Sequence, residues 1–194
     1  MANDSNKVLV GSGKVGGYIF SLDADADLPT DASATLDSSA KGLGYVSSDG
    51  ITRTVEVGTE QVEDLNLDIV RTLTTDTSVE LSCTLLEVNV NNMTELYGAD
   101  NVTVTPADDT HGEQIAVRFT GEQLPRRAYV VELVDGENIG RFVIPEGQVT
   151  TPGGGELTFV KNQTINHTLT IRAYRATTGE YFNHYTDNGQ TSGE

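Results

Sequence analysis

Single polar residues alternate with apolar residues along much of this chain. The pattern is clearest at residues 65–69 and 79–85. Because successive side chains of a strand point to opposite faces, each stretch predicts a half-buried strand. The same spacing recurs at Ile115, Val117 and Phe119, at Tyr129, Val131 and Leu133, and at Ile165, Leu169 and Ile171.

A hairpin is predicted in the second half of the chain. Asp135-Gly136 separates the apolar runs 128–134 and 139–144, and this dipeptide suits a tight turn between antiparallel strands. Pro145 follows the second run and, because it cannot donate to a ladder, is expected to end that strand.

Helical periodicity occurs once, at about residues 89–97. Val90, Met93 and Tyr97 share a face, and Gly98 can cap the C-terminus. One short helix in a chain of strands argues against alternating βαβ units. The predicted fold class is therefore mostly β, a β-sandwich packed against one short flanking helix.

The 194 residues are expected to form a single domain, 1–194, which is long enough to bury a core without staples. Residues 23–41 and 45–64 lack a clear core face and are predicted to be loosely structured, the second as a long loop. The N-terminal arm 1–15 and the C-terminal tail 177–194 are predicted to be flexible.

The chain is strongly acidic. It has 29 Asp and Glu residues against 12 Lys and Arg, a formal net charge of −17. Binding of DNA depends on cations that replace phosphate counterions, so this surface is expected not to grip DNA. Acidity also favours solubility, which is the simpler explanation. No apolar run approaches the ~20 residues of a membrane helix, and no membrane partner is expected.

A glycine-rich motif near the N-terminus has the spacing of a dinucleotide-binding site. Residues 7–10 and the Gly11, Gly13, Gly16 pattern match a strand followed by a dinucleotide fingerprint. The aromatic and β-branched residues that follow, with Pro29 soon after, exclude the crossover helix that this site requires. No cofactor is predicted.

Metal and catalytic sites are not predicted either. Asp23, Asp25 and Asp27 have calcium-loop spacing, but the glycine and final glutamate of that loop are absent. The three histidines are far apart in the sequence, and none has zinc-ligand spacing with Cys83. Cys83 falls on the apolar face of a strand, where a free cysteine usually packs as a small hydrophobe. The chain is expected not to be an enzyme, and the lack of an apolar leader suggests a cytosolic protein.

The order of motifs in the first hundred residues resembles the major tail tube proteins of siphophages. The motifs are Gly16-Gly17-Tyr18-Ile19-Phe20 with the acidic stretch after it, Leu43-Gly44-Tyr45 with the polar segment after it, the two alternating stretches, and the helix with Gly98. The rest of the chain is similar only in general character.

The resemblance implies a virion protein that is made in the host cytoplasm and associates with itself into stacked, hexameric rings. Strands from each subunit would contribute to an inter-subunit β-barrel, which removes exposed strand edges. Phage double-stranded DNA would pass through the tube without specific binding. The implied partners are the tape measure protein, the tail terminator and baseplate proteins. Whether such a tail contracts stays open.

Two sets of residues are candidates for roles in such a tube. Polar side chains of the alternating stretches would suit an anionic lumen, or alternatively face outer solvent: Asn66, Asp68, Thr72, Glu80, Ser82 and Thr84. The segment 45–64 would become ordered between stacked subunits by burying apolar groups and pairing an arginine with a neighbour's carboxylate. Its candidate residues are Ile51, Arg53, Val55, Val57 and Val62.

An alternative of another class is a bacterial cell-surface or adhesin-like β-sandwich domain, which would share the composition and strand pattern. A monomeric protein would favour that alternative, and assembly into tubes would favour the first.

Overall fold

The computed structural model describes residue 11 and residues 18–190. It is mostly β, as predicted, with one α-helix in the described residues. The helix α1 is Val90–Tyr97. The strands are β1 Ile19–Leu22, β2 Lys41–Gly42, β3 Val46–Glu63, β4 Ile69–Leu85, β5 Val102–Thr105, β6 Gln114–Val117, β7 Arg127–Asp135, β8 Asn138–Val149, β9 His167–Ala173 and β10 Asn183–Asp187.

Antiparallel pairing joins eight strands in the order β2-β1-β7-β8-β9-β4-β3, with β10 also pairing β8, while β5 and β6 form a separate hairpin. The predicted hairpin at Asp135-Gly136 is confirmed as β7–β8. Pro145 does not end the second strand, because β8 continues to Val149. The proline lies between Ile144 and Gly147, where the pairing with β7 shifts register and tolerates a missing amide donor.

Strand β8 connects the two halves of the sheet. Its residues 139–143 pair with β10 and its residues 147–149 pair with β9. At the junction, a Cβ on Gly147 would come within 3 Å of the Tyr129 and Ile171 side chains. The absence of a side chain at Gly147 therefore lets the two halves pack closely.

The main core lies between these halves. Apolar residues of β1 and β7 face those of β4 and β9, and α1 contributes Met93 and Leu96. The alternation of residues 79–85 is confirmed, because Val79, Leu81, Cys83 and Leu85 are all buried. The core also includes Ile19, Leu43, Tyr129, Val131, Ile144, Val149, Leu169 and Ile171.

Residues 23–41, predicted to be loosely structured, pack on the outer face of β1, β7 and β8. Leu28 and Leu36 contact a second cluster built on Leu22 and Val130. Beside this cluster the buried Arg141 pairs with Glu132, and its Nη1 donates to the Asp31 carbonyl oxygen at 2.9 Å. The prediction failed because isolated leucines in a polar stretch show no period.

The helix α1 is held by a cap at each end and by hydrogen bonds on its buried face. Asn89 Oδ1 accepts a hydrogen bond from the Asn92 amide at 2.9 Å, which is an N-cap. Gly98, with φ of 87°, ends the helix as predicted. The buried Glu95 accepts hydrogen bonds from Ser21 Oγ at 2.8 Å and from the Tyr129 hydroxyl. Burial, followed by the nearby Glu95 charge, raises the pKa of Tyr129 well above its ordinary value.

The C-terminal region is more ordered than predicted. Residues 183–187 of the expected flexible tail form β10, which pairs with β8. The predicted flexible arm at 1–15 lies outside the described residues except for residue 11.

Candidate assembly surfaces

The hairpin of β3 and β4 extends beyond the rest of the sheet. β3 pairs with β4 from Val46 to Glu63, but β9 pairs with β4 only from Leu85 to Val79. We call residues 56–78, which lie beyond the Val55–Val79 pair, the distal ribbon. In the described residues, the distal part of β4 pairs with β3 alone.

The predicted long loop 45–64 is therefore wrong, because its residues 46–63 form a strand. Its apolar residues show no core face because most of the strand is exposed on both faces. An isolated two-stranded ribbon is marginally stable in water, and a long open edge can pair with another chain. Apolar side chains exposed on the distal ribbon include Val57, Val62, Leu65, Leu67, Ile69 and Val70.

The candidate stacking residues divide between the two faces of the hairpin. Ile51, Arg53, Val55 and Val57 alternate along one face, and Val62 lies on the other, opposite Arg71. The Arg53 guanidinium lies 5.0 Å from the ring centroid of Phe182 and 5.6 Å from that of Phe142. Arg53 thus has aromatic partners within its own chain.

Three of the six candidate lumen residues do share a polar face. Glu80, Ser82 and Thr84 are half-buried on β4, opposite Arg172, Thr170 and Thr168 of β9. Glu80 Oε1 lies 3.8 Å from Arg172 Nη1, and both side chains are partly exposed. Most side chains on this outer face of β4 and β9 are small and have hydroxyl groups.

The other three lumen candidates lie elsewhere. Asn66 and Asp68 belong to the turn between β3 and β4, where the predicted strand at 65–69 does not form. Thr72 is on the face opposite Glu80, because the register shift between Gly58 and Thr59 adds a residue to β4. Alternation alone could not reveal either effect.

The turn at residues 64–68, which we call the tip, presents two leucines to solvent. Leu65 is 103% exposed and Leu67 is 76% exposed. Leu67 also has a φ of 67°, a left-handed conformation that is unfavourable for leucine.

A carboxylate holds this turn. Asp64 Oδ1 accepts hydrogen bonds from the amides of Asn66 at 2.8 Å and Asp68 at 3.0 Å. The backbone bond to Asp68, then that to Asn66, lowers the pKa of Asp64 below its ordinary value of 3.8. The stabilisation is thus present above pH 3.8 and is lost as the pH falls through the lowered pKa.

An apolar cleft of about 500 Å³ opens between the two halves of the sheet. Val46, Ile51, Leu133 and Phe142 contribute to its wall, and each is only partly buried. Arg53 and His184 also line the cleft. Sequence analysis missed the cleft, since most of its lining residues come from five strands, β3, β4, β7, β8 and β10, that span most of the chain.

Metal binding and cysteine reactivity are the two kinds of chemistry considered from the sequence. In residues 18–190, no three His, Cys, Asp or Glu side chains are placed to hold a metal ion. Burial raises the pKa of the Cys83 thiol to about 12, so its reactive thiolate is scarce at neutral pH. No helix in this part of the chain is long and apolar enough to cross a membrane.

Comparison with known proteins identifies the family. Among solved structures, the chain is similar to the tube-terminating cap of the anti-feeding prophage, at 11% identity and a TM-score of 0.45, covering 96% of this chain and 100% of that one. No curated protein matches the sequence. Residues 1–192 match the family described as phage tail tube protein. The chain therefore belongs to the phage tail tube protein family, and it is a structural protein of a phage tail.

Proposed function

We propose that copies of this protein associate into hexameric rings, and that the rings stack into a hollow tube through which phage double-stranded DNA passes. The observation that carries this proposal is the distal ribbon, a long exposed hairpin in a chain of the tail tube family. In the described residues, the two strands of the ribbon pair only with each other, and no other element of the subunit packs on most of their surface.

Contact between copies would remove the cost of exposing the ribbon. Fully burying a valine or isoleucine side chain contributes about 1.5–3 kcal/mol, and Val57, Val62, Ile69 and Val70 are all exposed in the subunit. The ribbon backbone is already paired, so docking orders side chains rather than a whole loop. Its open β3 edge offers amides and carbonyls to a neighbour as well.

The charge of the chain suits a DNA conduit. The net charge is −17, and the distal ribbon has six Asp and Glu residues with Arg71 as its one basic residue. We propose that the polar face of Glu80, Ser82 and Thr84 lines the lumen, where the carboxylate would repel phosphate and the neutral hydroxyls would release no phosphate counterions, so that DNA is not held tightly. The tape measure protein, terminator and baseplate proteins are the proposed partners at assembly.

Shortening the ribbon tests assembly. In this variant Asn-Gly replaces residues 56–78, joining Val55 to Val79 by a two-residue turn. We expect a folded monomer whose circular dichroism and unfolding midpoint stay close to those of the parent, and electron micrographs without tubes. The parent protein, under the same conditions, should show rings and tubes. A parent that remains monomeric at high concentration under all salt conditions would overturn the proposal.

The lumen assignment has its own test. Ser82→Lys would place an ammonium group on the proposed lumen wall, and it should slow DNA ejection from virions by pairing with phosphates. Ser82→Gln, which adds length without charge, is the control and should eject normally. Ser82 is preferred to Glu80 because a lysine at 80 would be repelled by Arg172. Equal ejection by both variants, with tubes intact, would contradict the assignment.

A further inference from the structure

We propose that the tip of one copy, through Leu65 and Leu67, inserts into the apolar cleft of a second copy in the next ring. This inference rests on the proposed stacking of rings and names the surface that receives the ribbon. It commits the cleft to a single occupant, the tip of another copy of the same chain.

The tip has the features of an inserting element. Both leucines project into solvent at the end of a ribbon whose turn is fixed by Asp64. Glycine or asparagine would relieve the left-handed backbone at position 67, where the chain has leucine instead. Backbone strain of this kind, held in place by surrounding hydrogen bonds, is typical of functional positions.

The cleft has matching chemistry. It is open, it has room for small apolar side chains, and its walls are the partly buried ends of the main core. Leucines that entered it would extend that core and remove apolar surface from water on both copies.

Charges at the two surfaces are complementary. Asp64 and Asp68 flank the leucines of the tip, whereas the Arg53 guanidinium lines the cleft. The Arg53 guanidinium stacks near Phe142 and Phe182, and a carboxylate can approach its edge while the ring face stays covered. The pairing gives the docking a fixed orientation.

A tip cannot reach the cleft of its own chain. Glu63 lies ten residues beyond Arg53 along β3, and at ~3.3 Å per residue this distance is about 33 Å. The contact therefore joins different surfaces of two copies. A contact between different surfaces can repeat along an axis without closing, which is the geometry required to stack ring on ring.

Photocrosslinking identifies the occupant. Ser48→Cys, at the edge of the cleft, is labelled with a benzophenone maleimide, and the assembled tubes are irradiated. The native Cys83 is buried and should not be labelled. A crosslink to the peptide containing residues 64–68 supports the proposal. Crosslinks within one copy are expected in either case, because Gly11 and Tyr18 of the same chain also line the cleft. A crosslink between copies to any other peptide, or the absence of crosslinks between copies, overturns the proposal.

A disulfide experiment tests the direction of the contact. The double variant Ser48→Cys, Asn66→Cys keeps both leucines and should give a reducible ladder of covalent multimers. Asn66→Cys with Thr177→Cys, another exposed position, is the matched control and should give no ladder. If tubes form and neither pair gives a ladder, the inference is wrong.

A charged substitution in the tip can show whether this inference fails while the proposed function holds. Leu65→Asp should leave rings that do not stack, while Asn66→Asp, which adds the same charge to the same turn, should still build tubes. Tubes formed equally by both variants overturn the insertion of Leu65 and leave the proposed function intact. Absence of rings and tubes from the parent protein would instead overturn the proposed function, and the inference with it.

Discussion

The two halves of β4 have different environments within one strand. From Val79 to Leu85 it lies between β3 and β9, and its alternate apolar residues are buried. From Ile69 to Ser78 it pairs with β3 alone and is mostly exposed. The change occurs where β9 ends, since Ala173 is the partner of Val79.

This difference distinguishes residues that stabilise the isolated subunit from residues that remain exposed for contact with other copies. The near half obtains its stability from neighbours in the same chain, through strand pairing and the core. The distal half has apolar and β-branched residues, and among residues 18–190 no neighbouring layer covers them. Its sequence is therefore better explained by contacts with other copies than by contacts in the isolated subunit.

The largest contrast is expected for leucine truncation. Leu85→Ala removes a fully buried side chain and should lower the free energy of unfolding of the monomer by about 2–5 kcal/mol. Leu65→Ala, the same substitution at the exposed tip, should change it by less than ~0.5 kcal/mol. Chemical denaturation measures both values. Similar losses at the two positions would mean that the distal ribbon contributes to the fold of the subunit.

A smaller, local effect is expected within the tip. Asp64→Ala removes the acceptor of two amide hydrogen bonds and should raise hydrogen exchange of the Asn66 and Asp68 amides severalfold. Asp68→Ala is the control, because the Asp68 amide is held by the Asp64 side chain. Equal exchange in the two variants would show that the Asp64 carboxylate does not hold the turn.

The local pattern of apolar and turn residues predicted the elements whose structure depends mainly on residues nearby in the sequence. The spacing of residues 79–85, the turn at Asp135-Gly136 and the cap at Gly98 were sufficient for the Val79–Leu85 part of β4, the β7–β8 hairpin and the end of α1. In each case the periodic residues face one continuous core.

Prediction failed where the environment is set by distant residues. Residues 65–69 alternate as a buried strand would, yet residues 65–68 belong to a turn in which both leucines are exposed, and β4 begins only at Ile69. Pro145 lies inside a strand because of a register shift with β7. The cleft joins walls from β3, β4, β7, β8 and β10, and no local pattern predicts that arrangement.

Hydrogen exchange of monomer and tube tests the central claim most directly, namely that the distal ribbon is an assembly element. Amides of residues 56–63 and 69–78 should exchange fast in the monomer and slowly in the tube. Amides of residues 79–85 should be protected in both states, because β3 and β9 cover them in the isolated subunit. Equal protection of the distal ribbon in the two states would contradict the account.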